Sequence, residues 1–248
     1  MTLRICTYNI HKGFSQFNRR MMVHELRERL RQLGTDIVFL QEVQGLHMGH
    51  ARRHADWPSE PQHQFLARDI WPSAAYGGNA IYDHGHHGNA ILSRYPIIST
   101  HNQDVSDHRF ERRGLLHCEI RIAENRPPVH AVCVHLGLFA GSRRRQMEAL
   151  ARRMTELAPP DAPMIVAGDF NDWRNHAPRD LLSKLDLVEV FSPEGRPPRS
   201  YPSSFPMFRL DRIYVRGLTV EQCAVHCGPP WSRISDHAAL TAEFRLPE

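Results

Sequence analysis

Apolar residues in this chain fall into short blocks, most of them closed by a polar side chain. Leu3–Tyr8, Ile37–Leu40, Asn89–Ser93, Gly114–Ile122 and Val129–His135 each read as a strand, as does Pro96–His101. Met164–Ala167 is rich in apolar side chains and bounded by Pro163, which marks a buried strand. Three more strands are expected near 212–216, 219–226 and 238–245. Helical spacing is clear in two places. Met22, Leu26, Leu30 and Leu33 recur until Gly34, with Asn18 as the expected N-cap. Met147, Leu150, Met154 and Leu157 line one face of a second helix, expected to be capped by Ser142 and ended by Pro159-Pro160. Its arginines fall mostly on the other face. Shorter helices are expected at about 60–70, with Ser59 as N-cap, and near 178–185. The rest of 44–88 reads as loops, two of them histidine-rich, around His47, His50 and His54 and around His84, His86 and His87.

A strand, a helix and a second strand within the first forty residues suggest a crossover unit. A strand-rich chain with few helices predicts packed sheets with helices outside, an α+β architecture. No repeat, linker or compositional break divides the chain, so one domain over 1–248 is expected.

The polar residues that end or open the strands then stand out. They are Asn9, Glu42, His135, Asp169 with Asn171, Asp211, and Asp236 with His237. One such residue is a turn residue, and the string Gly168-Asp169-Phe170-Asn171-Asp172 reads equally well as an acidic turn. In that string Gly168 would let the chain turn tightly, and Asp172 would serve the loop or a cap. Polar groups at a buried strand end are costly unless paired, metal-bound or solvated. Six such placements predict strand ends converging on one site. Glu42, Asp169 and Asp236, with Asn9 as a neutral oxygen, form a hard-oxygen set that suits Mg²⁺, with Mn²⁺ as a substitute, better than structural zinc. His237 beside a carboxylate could orient or deprotonate water. His135 could hold a phosphoryl oxygen or donate a proton, and Arg113 could add positive charge where negative charge develops.

Composition changes this picture little. The 248 residues are 41% hydrophobic and 23% charged, with net charge +4, as in an ordinary soluble domain. Nearly all the positive charge is arginine, which suits bidentate contact with phosphate. The clusters Arg19-Arg20, Arg52-Arg53, Arg112-Arg113, Arg143-Arg144-Arg145 and Arg152-Arg153 could follow a nucleic-acid backbone, or be solvated helix faces. No apolar run reaches the roughly 18 residues of a membrane span, and the first residues lack a signal-peptide pattern, so a cytoplasmic location is expected. The five cysteines are odd in number, which predicts free thiols. No obligate protein partner is indicated.

Eight motifs, in order, complete the reading: TYNIH at 7–11, LQE at 40–42, GNAILSR at 88–94, RRG at 112–114, HLG at 135–137, GDFN at 168–171, LDRI at 210–213 and SDH at 235–237. This order resembles the endonuclease/exonuclease/phosphatase superfamily over residues 5 to about 245. The resemblance implies a four-layer α/β/β/α sandwich of two facing mixed sheets, with the site at one sheet edge. It also implies metal-dependent phosphoester hydrolysis, by attack of an activated water on a metal-bound phosphate. By motif, Glu42 would be the principal metal ligand, with Asn9 and Asp236 beside it. Asp169 and Asn171 would orient water and phosphate, and Asp211 would orient His237. His135, Arg113 (or Arg112 in its place) and Asn89 would face the substrate. The general base would be His237 or Asp169. A second SDH, at 106–108, lies too early to be the terminal motif. The substrate stays open among nucleic acid, phospholipid headgroups and small phosphoesters. An inactive binding module, or a metal-binding role for the histidine-rich loops, are the competing classes.

Overall fold

The computed structural model of the chain describes residues 1–83, 85–108, 110–174, 182–191 and 198–247. Two mixed six-stranded sheets face each other. The first sheet contains β1 (Thr2–Asn9), β2 (Ile37–His47), β3 (Ser73–Tyr82), β4 (Gly85–Ser93), β11 (Thr219–His226) and β12 (Ala239–Arg245), in the order β11-β12-β1-β2-β4-β3. The second contains β5 (Ile97–Asp104), β6 (Gly114–Ile120), β7 (Val129–His135), β8 (Met164–Asp169), β9 (Val188–Glu189) and β10 (Asp211–Arg216), in the order β5-β6-β7-β8-β10-β9.

Each sheet has one parallel pair at its centre, β1 with β2 and β7 with β8. Parallel neighbours need a crossover. Helices α1 (Val23–Leu33) and α4 (Ala140–Leu157) supply it. The expected crossover over the first forty residues is therefore present, and a second one mirrors it in the other sheet.

Strand side chains alternate between faces, and this builds the layers. Ile5, Phe39, Ile91, Leu116, Cys133, Ile165, Ala167, Ile213, Leu240 and Phe244 point into the shared core between the sheets. The alternate residues Cys6, Tyr8, Val38 and Leu40 face outward and are covered by α1 and by α3 (Gln62–Ala67) through Leu26, Leu30, Phe65 and Leu66. Val132, Val134, Val166 and Tyr214 are covered by Met147, Leu150 and Met154 of α4. The result is the four-layer α+β sandwich. Full burial of each such aliphatic side chain contributes about 1.5–3 kcal/mol, so both helix faces are strongly held.

Several local expectations are corrected. Helix α1 begins at Val23 after two short 3-10 turns, so Asn18 does not cap it. Helix α4 begins at Ala140, and the Ser142 hydroxyl instead donates to Asp107 Oδ2 at 2.5 Å. Asp107, from the early SDH string, also accepts from Arg145 Nε at 2.8 Å and so ties the turn before β6 to α4. Helix α3 starts after Pro61, three residues past Ser59. The 44–88 region is not mainly loop: β2 runs on to His47, α2 (Met48–Arg53) follows, and β3 with β4 form a long hairpin that carries His86 and His87 within a strand. Of the helix expected at 178–185, residues 178–181 lie outside the described residues, as does His84. All five cysteines are free, and Cys6, Cys118 and Cys133 are buried. No helix among the described residues is long and apolar enough to cross a membrane.

Candidate active site

Topology brings the strand-end polar groups together. The carboxyl ends of β1, β2, β7 and β8 lie at one edge of the sandwich. Strands β10 and β12 run antiparallel to β8 and β1, so their amino ends return to that edge. Parity then aims the side chains. Asn9 shares the inward face with Ile5, His135 with Cys133, Asp169 with Ala167, and Asp211 with Ile213. The pairings Asp169↔His135 and Asp169↔Asp211 follow from register alone.

Gly168 occupies β8 rather than ending it. Its φ is +150°, and a Cβ there would lie 1.9 Å from the Val134 carbonyl oxygen. Close approach to β7, not a tight turn, therefore requires glycine. This corrects the expected turn.

Asp169 is the hub. Its Oδ2 accepts from Asn9 Nδ2 at 3.1 Å, which joins the two sheets. Its Oδ1 accepts from the Asn171 backbone at 2.8 Å. His135 Nε2 lies 3.6 Å and His237 Nε2 3.8 Å from Oδ2. Asn171, in left-handed backbone at φ +49°, spends its amide on the Leu136 carbonyl at 2.9 Å. Such geometry is uncommon for a non-glycine residue outside asparagine and aspartate, and is held here by these contacts. His237 Nδ1 is 2.8 Å from Asp211 Oδ2. Tyr201 packs its ring against the same imidazole, centroids 4.9 Å apart.

Protonation follows from burial and charge. Burial raises the Asp169 pKa, against the pull of His237. Burial lowers that of His237, but the Asp211 and Asp169 carboxylates outweigh it and the net shift is upward. Burial, then Arg113 and His237, hold His135 well below its ordinary value, so it is neutral. The pair His237/Asp211 thus favours imidazolium, and His135 offers a neutral ring.

Glu42 and Asp236 sit beside this cluster rather than inside it. Asp236 Oδ1 meets His11 Nδ1 at 3.2 Å, and that contact raises the His11 pKa. Glu42 lies where β2 loses register between Leu40 and Val43, in left-handed backbone at φ +56°. Among the described residues it pairs with Lys12, at 3.9 Å. A half-buried carboxylate presented by strained backbone, with only a long ion pair, suits a cation. Asp211 Oδ1 is buried without a hydrogen-bond partner, a second unspent oxygen. Among the described residues, the tight group able to hold a metal ion is Asp169, Asp211 and His237, with ligand atoms within 4.8 Å of one another. The donor chemistry therefore fits a hard divalent ion.

The remaining expected residues lie at the rim or beneath it. Arg113 is pinned by Nε to the Leu136 carbonyl at 3.0 Å and by its ion pair with Glu111 at 3.0 Å. Asn89 is buried, its amide donating to the carbonyls of Gly114 at 2.9 Å and Cys133 at 3.3 Å. It bridges the sheets under the site. Ser235 donates to the Asn9 carbonyl at 2.7 Å and fixes the SDH loop to β1.

Four residues escaped the sequence reading. His11 and Lys12 lie within and after the TYNIH string, so position could have flagged them. His87 is buried enough to have its pKa lowered to about 4, with Lys12 and Glu42 within electrostatic reach. Nothing in its sequence separated it from a solvated histidine. Tyr201 lies in a stretch with no periodic signal. Asp172, expected to serve a loop or cap, is instead buried with Arg212 Nη2 at 2.8 Å.

Comparison with known proteins agrees with this architecture. The chain is 45% identical to the uncharacterized protein YbhP of Escherichia coli (strain K12) over 246 residues, 99% of this chain and 97% of that protein. The mannosyl-6-phosphatase Bt3783 of Bacteroides thetaiotaomicron superposes with a TM-score of 0.73 at 16% identity, covering 98% of this chain and 100% of that one. D. rerio TDP2 complexed with single-strand DNA product superposes with a TM-score of 0.68 at 18% identity, covering 98% of this chain and 99% of that one. At such identities the two structures speak for the fold alone. The Endonuclease/Exonuclease/phosphatase family profile matches residues 6–237, and the chain belongs to that family.

Proposed function

We propose that this protein is a Mg²⁺-dependent phosphoester hydrolase. The observation that carries the proposal is the convergence of Asn9, His135, Asp169, Asp211 and His237 at one sheet edge, joined by the Asn9–Asp169 and His237–Asp211 contacts. Glu42, with Asn9 and Asp236 nearby, would hold the metal. The ion would supply Lewis-acid neutralisation of phosphate charge, worth several kcal/mol.

The chain's own groups divide the remaining work. His135, neutral and buried, offers a hydrogen bond to a phosphoryl oxygen. Asn171 and Arg113 border the space where that phosphate would sit, and Arg113 adds fixed positive charge as negative charge develops. His237, charged through Asp211, favours the developing dianion. An imidazolium has no lone pair to accept a proton, which makes Asp169 the better general base for in-line attack of water. Asn89 then supports the site from below and need not touch substrate.

One of the two structures is a mannosyl-6-phosphatase and the other holds a single-strand DNA product, so fold likeness does not choose between a phosphomonoester and a nucleic acid. A cytoplasmic enzyme on a nucleic acid or small phosphoester is the working assignment. The test is turnover of bis-p-nitrophenyl phosphate, plasmid DNA, RNA and sugar phosphates with Mg²⁺ or Mn²⁺. Chelator should abolish turnover, and Glu42→Ala should lower it at least a hundredfold. Turnover that survives both would overturn the assignment.

A further inference from the structure

Beside the catalytic edge lies a cavity of about 380 Å³. Its charged walls are Lys12 and Arg53, its imidazoles His47 and His54, and its rings Phe14 and Tyr82. Among the described residues, no carboxylate lines it. Its ionisable side chains among the described residues, other than the phenol of Tyr82, are basic, in a chain whose net charge is only +4.

The cavity is built rather than incidental. Gln62, itself buried, donates from Nε2 to the Lys12 carbonyl at 2.8 Å and accepts at Oε1 from the Gln44 backbone at 2.8 Å. One amide thus clamps the loop after β1 to the distorted end of β2. A Cβ on Gly13 would lie 2.5 Å from Gln62 Nε2, so the loop closes tightly on that clamp. Lys12 is held in left-handed backbone at φ +58°, a conformation that persists only where surroundings impose it. Phe14 stacks on Trp57 at 5.7 Å and 22°, and His47 packs on Tyr82 at 5.8 Å, which fixes the walls. Lys12 belongs to both places, because its ammonium is 3.9 Å from Glu42.

We propose that this cavity is a second anion subsite, and that the preferred substrate carries another phosphate group beside the phosphoester to be cleaved. The inference rests on the phosphoester-hydrolase assignment for the neighbouring site. With the scissile phosphate at Asp169, the second phosphate lies between Lys12 and Arg53. The rings of Phe14 and Tyr82 pack against the carbon frame that joins the phosphates. Guanidinium and ammonium differ in what they add: Arg53 can grip two oxygens, while Lys12 acts as a point charge.

A matched pair of chromogenic esters tests this: thymidine 5′-(p-nitrophenyl phosphate) with and without a 3′-phosphate. The 3′-phosphate should raise kcat/KM at least tenfold, mainly through KM, and Arg53→Glu should erase the preference. Calorimetric titration of metal-free protein with thymidine 3′,5′-bisphosphate is the arm that needs no turnover. Binding should weaken at least tenfold in Arg53→Glu, and circular dichroism should confirm that the variant is folded. No preference in the wild-type protein, or one that survives Arg53→Glu, overturns the subsite. If neither ester is cleaved, the catalytic edge does not accept thymidine esters, and the titration decides the subsite: binding less than tenfold tighter than that of Arg53→Glu overturns it.

Discussion

The carboxylate of Asp172 meets the guanidinium of Arg212 at 2.8 Å, with both side chains almost wholly buried beneath the catalytic edge. Arg143, reaching inward from α4, brings a second guanidinium to within 3.8 Å of the same carboxylate. Breaking a buried pair from one side strands the remaining charge, at a cost of about 3–5 kcal/mol. Asp172→Ala is therefore expected to destabilise the fold by that amount, since it removes the carboxylate that both buried guanidiniums share. Urea unfolding monitored by tryptophan fluorescence measures it. A loss under about 1 kcal/mol would mean that the network is solvated.

Gly168→Ala should be among the most damaging single-methyl changes in the chain. The added carbon would sit 1.9 Å from the Val134 carbonyl oxygen, a backbone atom that cannot swing aside. Relief requires β7 and β8 to separate where His135 and Asp169 pair. Overpacking of this kind costs at least about 1–3 kcal/mol. Activity should fall more steeply than stability, because the separation is greatest at the site. A variant with wild-type melting and turnover would show that the strands have room to spare.

Much of the sandwich was legible in the sequence, because blocks such as Val129–His135 and Met164–Ala167 are apolar on both faces, as strands buried between a core and a helix must be. Helix starts were less legible. Asn18 and Ser142 are good cap types, but Ser142 finds a tertiary partner in Asp107, and tertiary contacts outweigh local propensity. The β3 hairpin was missed because Ser73–Tyr82 is an edge strand of small and polar residues with little alternation. At the site, strand-end acids were visible as a class. The burial of Asp172 was not, since its partners come from α4 and β10, far away in sequence. Nor was the inward turn of Arg143, which shares its arginine cluster with exposed Arg144 and Arg145.

Stability should fall on acidification through a buried histidine pair of β6 and β7. His117 Nε2 and His130 Nδ1 lie 3.0 Å apart with the rings stacked at 4°. Burial, then the neighbouring His130, lowers the His117 pKa from its ordinary 6.5 to about 3. The folded pKa is depressed, so the unfolded chain takes up the proton first. The pair's contribution is fully present above pH 6.5 and is lost as pH falls toward 3. The slope is at most about 1.4 kcal/mol per pH unit for one proton. His117→Phe should flatten the urea midpoint between pH 6 and 4 relative to wild type. An unchanged slope in the variant would remove His117 as its source.

Asp211→Asn tests whether His237 acts through its charge and tautomer. The native carboxylate accepts from Nδ1 at 2.8 Å, which leaves Nε2 aimed toward Asp169. A carboxamide in its place can present an N–H to Nδ1. That would reverse the hydrogen bond, move the ring proton to Nε2 and remove the charge that favours imidazolium. The loss expected for a misplaced proton-transfer group is about 10²–10⁴ in kcat, with KM little changed because His237 itself remains. Packing should hold, since the amide and the carboxylate have the same shape, and the melting temperature checks this. Turnover within threefold of wild type in a folded Asp211→Asn protein would show that His237 neither carries charge nor aligns a proton in the rate-limiting step.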